Sequence, residues 1–134
     1  MTSLEKVEGI GDAYRQDLIE AGVKTAEALL DQGATPKGRQ ALAERAGISP
    51  KLILEWVNHV DLFRIKGISE EYADLLEEAG VDTVPELAQR NVTNLRQKMV
   101  EVNEAKKLVR QLPAEKEIAS WVEQAKALPR KITY

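Results

Sequence analysis

Displaced by 58 residues, the sequence matches itself: Leu4 to Thr35 aligns with Leu62 to Thr93, with identity at 12 of 32 positions. The shared residues are Leu4, Gly9, Ile10, Tyr14, Leu18, Glu20, Ala21, Gly22, Val23, Thr25, Leu29 and Thr35, paired with Leu62, Gly67, Ile68, Tyr72, Leu76, Glu78, Ala79, Gly80, Val81, Thr83, Leu87 and Thr93. Val7 also faces Ile65. Self-similarity at a fixed period means one supersecondary unit built twice, so any fold proposed for the first segment must also suit the second. Farther on the offset becomes 65 and brings Ile53, Trp56 and Val57 onto Ile118, Trp121 and Val122, with an insertion near Val102 to Gln111. The expected organisation is repeat one over 4–60, repeat two over 62–128 and a non-helical C-terminal tail over 129–134, all within one domain of 1–134. A chain of 134 residues falls in the ordinary single-domain range.

Apolar residues recur at three- and four-residue spacing and do not alternate, which predicts an all-α chain with about five helical segments per copy. Thr25 is placed to open one helix. Its counterpart Thr83 precedes Pro85 and Glu86, the spacing of a capping box with proline in the first turn. Thr35-Pro36 and Ser49-Pro50 each set an N-cap residue before a proline. Gly22, Gly80 and Gly47 read as helix stops able to take positive φ.

Each copy begins with an apolar residue, a spacer and a glycine-isoleucine turn: Leu4-x-x-Val7-x-Gly9-Ile10-Gly11, then Leu62-x-x-Ile65-x-Gly67-Ile68-Ser69. Glycine allows a tight turn and close backbone approach, while the central isoleucine can plug the gap between two short helices. This pattern resembles the helix-hairpin-helix motif. The chain, including Trp56-Val57-Asn58 ahead of Asp61-Leu62-Phe63-Arg64-Ile65-Lys66-Gly67-Ile68 and the stretch Val81-Asp82-Thr83-Val84-Pro85-Glu86-Leu87, is similar to a bacterial family known as a domain of unknown function with tandem units of this kind. The resemblance implies a fold of two tandem helix-hairpin-helix repeats in one helical domain. It also implies binding rather than catalysis, since the wider superfamily commonly holds DNA without sequence preference by turning backbone N–H groups onto a phosphate, and some members associate with proteins.

Two partners stay open on the residues, the nucleic-acid backbone first and a protein partner or second copy as the alternative. For nucleic acid the candidate contacts are Gly9, Ile10, Gly11 and Lys6 in repeat one, and Gly67, Ile68, Ser69 and Lys66 in repeat two, because a helix N-terminus attracts anions. Asp12, Glu70 and Glu71 in the first turns oppose this. Ser69 replaces the second glycine: if that position needed positive φ the strain would be ~1–2 kcal/mol, which ranks the first turn above the second, and otherwise Ser69 stands as an N-cap residue. The basic groups Lys37, Arg39 and Arg45; Arg90, Arg96 and Lys98; Lys106, Lys107 and Arg110; and Arg130 and Lys131 are expected on solvated helix faces. Trp56 and Trp121 are expected to anchor the core, and Tyr14 and Tyr72 to be packing residues whose hydroxyls reach the surface.

The composition carries little chemistry. Nineteen basic residues against 22 acidic ones leave a net charge of -3, too little to draw the protein strongly to polyanions. The absence of cysteine excludes disulfides, thiolate metal sites and thiol nucleophiles. A single histidine, His59, cannot supply a ligand set even beside Asp61. No phosphate loop, dinucleotide fingerprint or nucleophile elbow occurs. The sequence thus predicts a non-enzymatic, cytoplasmic protein with no metal, no cofactor, no small-molecule substrate and no membrane span.

Overall fold

A computed structural model describes residues 2–134. Among them are eight α-helices and one 3-10 turn, with no strand beyond a single bridge between Ser3 and Thr25. The chain divides into two compact units, one running to Asp61 and including Lys131–Tyr134, the other Leu62–Arg130. The first holds the 3-10 turn Leu4–Lys6 and helices α1 (Asp12–Glu20), α2 (Ala26–Gln32), α3 (Pro36–Ala46) and α4 (Pro50–Leu62). The second holds α5 (Glu70–Glu78), α6 (Val84–Ala88), α7 (Val92–Lys106) and α8 (Glu115–Ala127). Repeat two therefore has one element fewer than expected, because its chain after Leu62 forms turns where repeat one has a 3-10 helix.

The helix ends explain themselves. Thr25 accepts from the Ala28 N–H at 3.1 Å and Thr35 from the Gly38 N–H at 3.0 Å, so both cap as expected. After α1 the Gly22 N–H donates to Ile19 O at 3.0 Å and the Val23 N–H to Leu18 O at 2.8 Å. The Gly80 and Val81 N–H groups repeat this on Glu77 O and Leu76 O at 3.0 and 2.9 Å. These are paired Schellman stops. Their glycines sit at φ +94° in both copies, a region side-chain-bearing residues rarely enter.

Two expectations about caps and alignment are corrected. Thr83 makes no side-chain cap, and the Glu86 carboxylate reaches back past it to receive the Asp82 N–H at 3.3 Å. The identity of Thr35 with Thr93 is also not structural. Helix α6 has 5 residues against 7 in α2, so the N-cap Thr35 matches Asn91, whose side chain accepts from the Asn94 N–H. Helix α7 is then longer than α3, 15 residues against 11, and ends on Lys107 in the left-handed region, which places the extra residues of repeat two where the sequence puts its insertion.

In the first unit α3 packs on α1 and α2, and in the second α8 packs on α6 and α7. Helix α4 buries Ile53, Trp56, Val57 and Val60 along one stripe. Helix α8 does the same with Ile118, Trp121, Val122 and Ala125, the spacing that aligns a helical face with a core. No helix among the described residues is long and apolar enough to cross a membrane.

Candidate functional site

The two glycine turns are built alike. In the first, the Val7 N–H donates to Leu4 O at 3.1 Å and the Ile10 N–H to Val7 O at 3.2 Å. In the second, the Ile65 N–H donates to Leu62 O at 3.2 Å and the Ile68 N–H to Ile65 O at 3.3 Å. Gly9 and Gly67 take φ of +91° and +100°, which only glycine enters without strain. Space imposes the same choice: a Cβ would lie 3.1 Å from Trp56 Nε1 at Gly9 and 2.9 Å from Trp121 Nε1 at Gly67.

Each tryptophan also packs against a tyrosine. Trp56 and Trp121 are only 3% and 2% exposed. The Tyr14 and Trp56 ring centroids lie 5.1 Å apart at 61°, and those of Tyr72 and Trp121 5.3 Å apart at 52°. Tyr72 donates its hydroxyl to Gln111 O at 3.1 Å and packs at the edge of the core. Tyr14 remains exposed at 37%. Burial, with Glu117 and Glu71 adding repulsion, pushes the Tyr72 phenol above its ordinary value.

The central isoleucines do not act as donors to a ligand. Ile10 and Ile68 are buried, and their N–H groups are spent inside the turns. The exposed positions are Gly9 and Gly11 in one copy and Gly67 and Ser69 in the other, with Lys6 and Lys66 exposed beside them. Gly11 and Ser69 are the N-cap residues of α1 and α5, at φ −85°, ψ −175° and φ −87°, ψ 179°. Both are plain extended backbone. The strain anticipated for Ser69 does not exist, and with it goes the reason for ranking the first turn above the second.

Charge separates the turns. Around the first stand Glu5, Glu8 and Asp12 against Lys6; around the second, Arg64 and Lys66 balance Glu70 and Glu71. The carboxylates in the first turns of α1 and α5 stabilise those helix starts but repel a second anion. The second turn is also braced: Gln124 on α8 accepts the Lys66 N–H at 2.8 Å and donates to Lys66 O at 3.1 Å. Sequence reasoning missed Gln124. At the offset of 65 it aligns with His59, so no identity marked it. His59 and Asp61 are both buried. Among the described residues no cluster of three or more side chains is arranged to hold a metal ion.

The basic groups divide. Lys37, Lys98 and Arg110 are exposed as expected, whereas Arg96, donating to Pro113 O, and Arg90, donating to Gly80 O, tie loops down. Arg39 departs outright from the expected solvated face: it is buried, 6% exposed, and donates to Gly33 O at 2.9 Å and Thr133 O at 2.8 Å.

The family model Domain of unknown function (DUF4332) matches residues 8–128, nearly the whole chain, and the protein belongs to that family. No solved structure matches it.

Proposed function

We propose that the protein is a non-catalytic binding module whose two glycine turns are tandem helix-hairpin-helix units, and that it holds a nucleic-acid backbone without reading sequence. The second turn makes the main contact. The observation that carries this is the setting of Lys66: its main chain is clamped by Gln124, it adjoins an uncapped helix start, and the Ser69 hydroxyl does not cap α5. An ammonium carried on a clamped main chain, a hydroxyl and the first-turn amides of a helix together offer the donors a phosphate oxygen accepts. With Glu70 and Glu71 beside it the site is a weak one, in the non-specific range of about 10⁻⁴–10⁻⁶ M at physiological salt.

Fluorescence anisotropy with a labelled duplex tests the reading. Affinity falls between low and physiological salt, Lys66→Glu lowers it by about tenfold, and Lys6→Glu lowers it less. Binding that ignores salt, or that survives Lys66→Glu unchanged, removes the proposal. The acidic surroundings of the first turn favour a different role for repeat one, association with a protein surface, since three carboxylates around Gly9 to Gly11 disfavour phosphate.

A further inference from the structure

Arg39 occupies a position where the other repeat has a leucine. Counted from the N-caps Thr35 and Asn91, it is level with Leu95, which is fully buried in α7. Placing a guanidinium there is costly, and burial indeed holds it below its ordinary value, with Tyr134 pulling the other way. What satisfies it is the segment Lys131–Tyr134. Arg39 donates to Thr133 O, and its guanidinium carbon lies 5.8 Å from the Tyr134 ring centroid. The Thr133 N–H in turn donates to Ala34 O at 2.8 Å, so the main chain of Thr133 is read on both sides. The flanking side chains add specificity: Ile132 is 3% exposed, Lys131 pairs with Asp31 at 2.8 Å, and the Tyr134 hydroxyl donates to Asn58 Oδ1 at 3.0 Å.

All four residues are thus recognised individually, as a bound peptide would be. The hold is nonetheless shallow. Only Ile132 is buried, while Lys131, Thr133 and Tyr134 stay exposed, and none of the four lies in a helix. The emptied groove would then leave the Arg39 guanidinium without its second acceptor, which favours refilling by a chemically equivalent segment.

We propose that this groove exchanges its occupant: residues 131–134 of a second copy enter it in place of the chain's own, giving a reciprocal, domain-swapped dimer. The exchange replaces each contact with its identical counterpart, so nothing is lost locally, and concentration decides between the two forms.

The test is complementation in the full chain. Ile132→Asp spoils the segment and leaves the groove. Arg39→Leu with Asp31→Lys spoils the groove and leaves the segment, and leucine is the residue repeat two already packs at the level of Arg39. After refolding at high concentration, native mass spectrometry shows a wild-type dimer, a dimer fraction lowered at least about tenfold for either variant alone, and a restored heterodimer when the two are refolded together. Thr133→Pro, which deletes the N–H given to Ala34, repeats the loss without placing a charge in the groove. Wild type that remains monomeric at every concentration overturns the proposal. So does a dimer that withstands Ile132→Asp, or a mixture that fails to recover it.

Discussion

Repeat one spells its turn Gly9-Ile10-Gly11 and repeat two Gly67-Ile68-Ser69, yet the two backbones agree within a few degrees at the third position. The glycine that both keep is the one that meets a tryptophan at positive φ. The one that varies lies in extended backbone, and a Cβ at Gly11 would have nothing within 4 Å. One glycine is imposed by geometry; the other is a matter of local chemistry, and that is where the copies diverge in charge. The same contrast holds deeper in the units, where a buried leucine of repeat two becomes the Arg39 anchor of repeat one.

The comparison breaks most visibly if the tryptophans are not equivalent. Trp56→Ala and Trp121→Ala should each cost ~3–5 kcal/mol in urea denaturation, by matched amounts, because both side chains are buried against the same glycine and tyrosine partners. A large cost at one and a small one at the other would mean that only one stack supports its turn.

Next in size are the glycines. Gly67→Ala should cost ~2–4 kcal/mol, combining the left-handed backbone penalty with displacement of Trp121. Gly9→Ala should cost slightly less, since its tryptophan stands 0.2 Å farther off (3.1 against 2.9 Å). Gly11→Ala should be close to neutral, and thermal melts of the three variants check the ordering.

Much of this was legible in the sequence. The caps at Thr25 and Thr35, the Schellman glycines and the burial of both tryptophans follow from local patterns that tertiary packing did not overrule. The alignment failed where lengths changed: two residues missing from α6 left Thr93 opposite Thr35 in sequence and inside a helix in space. Arg39 was unreadable because an arginine grouped with Lys37 and Arg45 on α3 resembles a solvated face, and its acceptor, Thr133, lies 94 residues away. Gln124 was hidden for a related reason, since its role depends on a turn 58 residues earlier. At Ser69 the sequence left strain and an N-cap position both open, because it reveals a missing glycine but not which φ its place demands; the structure takes the N-cap position.

Two smaller effects sharpen the contrast further. Tyr72→Phe should cost ~0.5–1 kcal/mol through the bond to Gln111, while Tyr14→Phe costs less, as no such segment covers it. Because burial raises the Tyr72 phenol, its contribution is complete below pH 10.0 and is lost as pH climbs through the folded value, so wild type should weaken in alkali more steeply than Tyr72→Phe. Asp82 stands where repeat one has Lys24. Burial, then Glu86 and Glu77, raises its carboxyl, so the ionised form weakens the fold at neutral pH. Asp82→Asn should therefore add a few tenths of a kcal/mol at pH 7, a gain that disappears as acid protonates the wild-type residue; denaturation midpoints at both pH values measure it.

The most direct trial of the difference between the turns is an amide NMR titration of the labelled chain with a short DNA duplex at low salt. The account predicts that Gly67, Ser69 and Glu70 shift first and farthest, that Gly9, Gly11 and Asp12 move little, and that added salt reverses the response. Equal movement at both turns, or shifts confined to surfaces remote from Lys66, would contradict it.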